Sequence, residues 1–235
     1  MRFSYAALFA CSIPVTLLAT AGHAEAHVSV VSGPAVTAKS QKITFGVAHG
    51  CDGADTVKMR VEIPVGISGV RPLASDFARP VVEKLDANVV AVTWEKPAAD
   101  FQIDDVQYYE LTLRARVDAP AFSTVLFHVY QTCRSAAGVE TVVPWIATPG
   151  AEGDPAAALV VTPAHIPGWN KITLDATTTV AAVSLPTYLG DAQIVWRGSA
   201  AFSTNANTMT MVAATPGVTA LSGDLAPNDI LWVKY

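Results

Sequence analysis

The stretch Tyr108-Tyr109-Glu110-Leu111-Thr112-Leu113-Arg114-Ala115-Arg116-Val117 decides the fold. Tyr109, Leu111, Leu113, Ala115 and Val117 share one face, and Tyr108, Glu110, Thr112, Arg114 and Arg116 share the other. A strict period of two is the mark of a strand with one buried and one wet face. Outward from it the same texture recurs at 27–31, 42–48, 56–63, 88–94, 124–132 and 140–146, each run bounded by turn residues such as Ser32-Gly33-Pro34 and Pro64-Val65-Gly66. About seven short strands, with little sign of a long amphipathic helix, predict a mainly β domain: an antiparallel sandwich of immunoglobulin or fibronectin type.

The ends of the chain differ from this centre. Residues 1–26 carry Arg2, an apolar run from Tyr5 to Leu18 and the small-residue exit Ala24-Glu25-Ala26, the layout of a cleaved secretory signal. Cleavage after Ala26 makes His27 the mature terminus; cleavage after Ala24 would leave Glu25 there instead. Pro14 interrupts the apolar run, which argues against a membrane anchor, and no second stretch has the roughly 20 apolar residues of a span. The expected mature protein is therefore exported, periplasmic or extracellular, and not membrane-spanning. Residues 27–150 are expected to form the sandwich, 151–161 a Gly/Ala/Pro-rich linker, and 162–235 a small α+β extension. That extension is expected to hold a short helix within 174–189, limited by Pro186, and strands at 193–196 and 230–233.

Composition narrows the partners. Acidic residues outnumber basic ones 20 to 15, and no Lys/Arg run occurs, so nucleic acid is not expected to bind. Of three cysteines, Cys11 leaves with the signal. Cys51 and Cys133 remain, most simply as a disulfide in an exported chain. The weaker reading is a thiolate metal site or redox pair, since neither cysteine has C-x-x-C spacing.

A mature His27 would present an α-amine and an imidazole on one residue, which close a chelate ring on a metal without help from the fold. Glu110, alone, reads as a solvated carboxylate beside an arginine. Three further histidines have no metal-type spacing to one another. His49 lies in a turn beside Cys51, His128 alternates with Phe127 and Val129 on a strand, and His165 lies between Pro163 and Pro167.

The segments His27-Val28-Ser29-Val30, Ala48-His49-Gly50-Cys51-Asp52-Gly53, Ile63-Pro64-Val65-Gly66, the Glu110 strand, and Tyr130-Gln131-Thr132-Cys133 with Trp145 are similar, in order and spacing, to the YcnI-like family of exported copper-binding proteins. The resemblance implies a fibronectin-like sandwich that holds Cu(II) in a single-histidine brace. The His27 amine and Nδ1 and a Glu110 carboxylate oxygen would be ligands, Trp145 would stand close by, and Cys51 and Cys133 would be bridged. It also implies a role in copper homeostasis or delivery, with a copper transporter or chaperone as partner. The chain departs from the pattern at Asp76-Phe77-Ala78-Arg79-Pro80, where many relatives carry Pro-Gly-Trp, and in its long tail. Amine, imidazole and carboxylate donors suit tetragonal Cu(II).

The competing readings are a copper-dependent oxidative enzyme, which needs a second histidine from His49, His128 or His165, and a structural or interaction sandwich. Blue-copper electron transfer would need a free thiolate. No G-x-S-x-G elbow suggests a hydrolase. The expectation is a binding protein, not an enzyme.

Overall fold

The computed structural model describes residues 27–48, 50, 51, 53–103 and 107–235. The expected signal peptide and His49 lie outside the described residues. In chain order the strands of the first unit are β1 (Val28–Val30), β2 (Ala35–Val36), β3 (Ser40–Val47), β4 (Asp55–Glu62), β5 (Ile67–Pro72), β6 (Pro80–Leu85), β7 (Asn88–Glu95), β8 (Tyr109–Val117), β9 (Ser123–Phe127), β10 (Val129–Arg134), β11 (Glu140–Trp145) and β12 (Ala157–Thr162).

Two sheets, ordered β1-β3-β8-β5 and β11-β10-β4-β7-β6, enclose one core, and a third, β2-β12-β9, contributes to it. The alternation in β8 does what its pattern predicts: Tyr109, Leu111, Leu113, Ala115 and Val117 are buried, and Glu110, Arg114 and Arg116 are exposed. Opposite them Met59, Val61, Val92 and Trp94 close the interior. The fold is the expected immunoglobulin-like sandwich.

Three expectations are corrected. The run 124–132 is not one strand: it divides at His128 into β9, which pairs with β12, and β10, which pairs with β4 and β11. The chain thereby passes from one sheet to another while its alternation continues. Residues 157–161 of the expected linker belong, with Thr162, to β12, whose Leu159 and Val161 are fully buried between β9 and β2. Strands β5 and β6 were not expected. β6 begins at a proline and exposes five of its six residues, as an edge strand does, so it carries no alternation to read.

The remainder of the chain forms β13 (Trp169–Thr173), β14 (Val180–Ala181), α1 (Leu185–Tyr188), β15 (Ile194–Arg197), β16 (Ala200–Phe202), α2 (Ala206–Ala214), β17 (Thr219–Ala220), β18 (Asp224–Leu225) and β19 (Ile230–Lys234). It has a five-stranded sheet, β13-β19-β15-β16-β17, and an apolar cluster of its own. Pro186 starts the short α1 rather than ending a longer helix, because its missing N–H costs nothing in a first turn. The longer α2 was not foreseen; it is capped by Asn205, whose side chain accepts from the N–H groups of Asn207 and Thr208.

This unit is docked on the sandwich. Phe122, in the turn between β8 and β9, has φ +63° and belongs to the second cluster, its ring 5.7 Å from that of Tyr188. A left-handed conformation at an aromatic residue is costly and is sustained here by burial of the ring.

Cys51 and Cys133 form a disulfide across 82 residues, tying the loop after β3 to β10. Loop-closure entropy alone gives about 4.5 kcal/mol for that span, an upper value because a compact denatured chain loses less. The Cys51→Ser/Cys133→Ser protein should unfold in urea with a stability lower by about 3 kcal/mol. An unchanged midpoint would show that the bridge is dispensable.

Candidate functional site

The site is built where the sandwich's two sheets end beside β1. Cross-strand register places Val28, Val47 and Tyr109 in one row, all buried, and Ser29, Gly46 and Glu110 in the next row, facing outward. His27, one residue before Val28, is exposed. Sheet spacings put its Cα about 12 Å from that of Glu110, two strands and two residues away.

Between them the row is thin, because Gly46 has no side chain. A Cβ there would collide with the Tyr108 hydroxyl and with Val31 Cγ1, so only glycine lets Tyr108 lie across the sheet at this point. Burial, and after it the neighbouring Glu110 carboxylate, push the Tyr108 phenol above its ordinary pKa. The polar face of β8 was legible in the sequence; this packing of Tyr108 over Gly46 was not.

Trp145 stands on β11, the edge strand of the facing sheet, and is 4% exposed. Its indole Nε1 donates to Gln131 Oε1 at 3.0 Å, and Gln131 Nε2 donates to Thr56 Oγ1 at 2.8 Å. That chain fixes the ring, and the His27 imidazole meets it edge-on, with centroids 5.9 Å apart and planes at 74°. The structure thus brings His27 and Trp145 together and leaves Glu110 on the same sheet, two strands and two residues from His27. The signal for Gln131 was in the sequence: it is a polar residue at an inward position of the alternation Val129, Gln131, Cys133.

Behind the site lies a buried charge cluster that sequence reading missed. Lys96 Nζ donates to both Asp55 oxygens, at 2.6 and 2.8 Å, and to Tyr109 Oη at 2.9 Å, while the Gln102 backbone N–H donates to Asp55 at 2.9 Å. The Lys96 ammonium also lies 4.9 Å from the Tyr109 ring centroid and 5.3 Å from that of Phe77. The cluster joins the start of β4, the end of β7 and the start of β8, and so sets the residue beside Glu110.

Two other described histidines are engaged elsewhere. His128 Nδ1 is 3.6 Å from Glu62 on the outer face. His165 stacks on Tyr235, centroids 3.6 Å apart and planes at 8°, with Nε2 3.4 Å from Asp191. Burial, and then Asp191, push the Tyr235 phenol up to about 12. Among the described residues no three His, Cys, Asp or Glu side chains gather as a metal site.

A family profile described as "Domain of unknown function (DUF1775)" matches residues 27–164. The chain belongs to that family. The matched DUF1775 region begins at His27 and takes in every strand of the sandwich, β12 included. No match is found among curated proteins. A solved structure of an uncharacterized protein from Nocardia farcinica, described as having an immunoglobulin-like fold, is 25% identical, with a TM-score of 0.48 over 57% of this chain and 97% of that one. A variant of BcpA, the major pilin subunit of Bacillus cereus, is 9% identical, with a TM-score of 0.35 over 88% of this chain and 54% of that one. Among the described residues no helix is long and apolar enough to cross a membrane.

Proposed function

We propose that this DUF1775 protein is exported, loses residues 1–26, and binds Cu(II) outside the cytoplasm for copper homeostasis or delivery, as a binding protein and not an enzyme. The observation that carries the reading is the position of His27: its ring lies against the hydrogen-bonded indole of Trp145, with the exposed Glu110 two strands and two residues away on the sheet that β1 borders. Resemblance to the YcnI-like proteins supplies the ligand assignment, His27 amine and Nδ1 with Glu110. Such a brace takes two donors from one residue, so a cluster of three side chains is not its signature.

The residues fit the ion chemically. Two nitrogens and a carboxylate oxygen suit Cu(II), and the carboxylate offsets part of its charge. Trp145 contributes an apolar wall on one side of His27, which limits water and holds the imidazole. Copper is cargo in this reading, and its donor or acceptor would be a transporter or chaperone.

Mass spectrometry of the exported chain gives the first test: a terminus other than His27 overturns the brace. Competitive copper titration gives the second. Glu110→Ala should weaken Cu(II) binding about tenfold, the scale on which a supporting carboxylate acts. Trp145→Phe should change the copper spectrum more than the affinity. Unchanged affinity in Glu110→Ala would remove that residue from the site.

A further inference from the structure

Three of the five tryptophans stand together on the C-terminal unit, away from His27. In its five-stranded sheet Ile172, Val195, Leu231 and Val233 turn one face to the second apolar cluster. The register puts Trp169, Trp196 and Trp232 on the opposite face: Trp196 pairs directly with Trp232, and Trp169 is the diagonal neighbour of Trp232 across β13 and β19. Trp169 is 53% and Trp232 48% exposed. The three indoles and Gly198 line a shallow groove of about 440 Å³. Large aromatic residues that a fold could bury, but displays on one face, are informative where scattered apolar residues are not.

The charges on that face have one sign. Lys171 pairs with Trp232, and Lys234 pairs with Trp169, so the cations interleave with the rings. They are the charged residues at the strand positions of this face, in a chain of formal net charge −5. A ligand that fits must offer flat apolar surfaces for the indoles and negative charge for the lysines.

We infer that this tryptophan-lysine face binds an acidic polysaccharide, with the C–H faces of its sugar rings on Trp169, Trp196 and Trp232 and its carboxylates at Lys171 and Lys234. The row crosses three strands, about 10 Å, the length of a disaccharide. The interleaving of rings and cations at strand spacing favours a repeating chain ligand over a bilayer, whose binding needs no such register. The groove is separate from the copper site, and its occupancy does not depend on that reading.

The test is calorimetry and tryptophan emission with the purified chain, using galacturonate and hyaluronan hexasaccharides, neutral cellohexaose, and phosphatidylglycerol vesicles. An acidic hexasaccharide should bind below millimolar concentration and more tightly than cellohexaose. Trp232→Ala should weaken it at least tenfold, Trp232→Phe should retain most of the affinity, and Lys171→Gln/Lys234→Gln should lower both affinity and salt dependence. Circular dichroism separates loss of binding from loss of fold, and the lysine variant decides the matter if Trp232→Ala does not fold. No binding of either acidic hexasaccharide at millimolar concentration, or affinity unchanged by these substitutions, overturns the inference. So does Trp232-dependent binding to vesicles or Trp232-dependent self-association in their place.

Discussion

Replacing His27 with alanine should lower Cu(II) affinity at least about a hundredfold, because changing even an outer partner of a metal ligand costs 10–100-fold and this substitution removes one of the proposed ligands outright. The expectation rests on a terminus produced by processing. While Ala26 is attached, the α-nitrogen of His27 is an amide and cannot serve as the amine donor. A chain bearing two extra residues before His27 should therefore be nearly as impaired as His27→Ala, although its imidazole is intact. The sign of the pH dependence follows from the proposed donors: protons compete with the metal for an amine and an imidazole, so acidification weakens binding. Affinity should fall steadily from pH 8 to pH 5.5, as a competing chelator titrated at each pH would record. Equal affinity in wild type and His27→Ala removes the brace, whatever the processing.

Much of the sandwich was legible because its strands are half-buried. In β8, and likewise in β4, where Val57, Met59 and Val61 turn inward, the alternation specifies which face meets the core. What periodicity cannot carry is the identity of a strand's partner. Val125, Phe127, Val129 and Gln131 continue one alternation across the point where β9 gives way to β10, so the change of sheet at His128 leaves no mark in the pattern. The edge strand β6 was invisible for the opposite reason, having no buried face. β12 was hidden by the Gly/Ala/Pro-rich residues before it, although Ala157, Leu159 and Val161 alternate.

The candidate site shows the same division. His27, Glu110 and Trp145 were named from motif order, and the register explains why distant parts of the chain meet: β1 and β11 are edge strands of facing sheets, so His27 can reach Trp145 around the rim. The Lys96–Asp55–Tyr109 cluster links three strands at positions with no mutual spacing, and no pattern in one sequence announces it. In the tail the short helix expected within 174–189 is found as α1, whereas the most regular feature, the tryptophan face, emerges only once β13, β15 and β19 are aligned.

Asp55→Ala should be among the most destabilising single substitutions in the sandwich, at about 4 kcal/mol. Both members of the Asp55–Lys96 pair are buried, with side chains 0% and 4% exposed, so neither can exchange its partner for water. Removing one member of such a pair leaves a buried charge and costs about 3–5 kcal/mol, whereas an exposed pair contributes 0–1 kcal/mol. The two single losses are not symmetric. Lys96→Met leaves the Asp55 carboxylate with the Gln102 N–H at 2.9 Å, and the Tyr109 hydroxyl, 3.4 Å away, can turn its proton toward it. Asp55→Ala leaves the ammonium with the Tyr109 hydroxyl and two aromatic rings, and it releases Gln102, the anchor of the loop leading to β8. Asp55→Ala should therefore be worse than Lys96→Met by about 1 kcal/mol, the net worth of one intramolecular hydrogen bond. The double variant Asp55→Leu/Lys96→Met should recover part of the loss, since apolar replacement of both partners avoids stranding a charge. Urea unfolding of the three proteins measures each value. A double variant as unstable as the sum of the two singles would mean that the pair stabilises the fold by its geometry and not by mutual neutralisation. Because Tyr109 precedes Glu110, Lys96→Met should also weaken copper binding more than an equally destabilising change remote from β8, such as Leu231→Ala in the C-terminal unit.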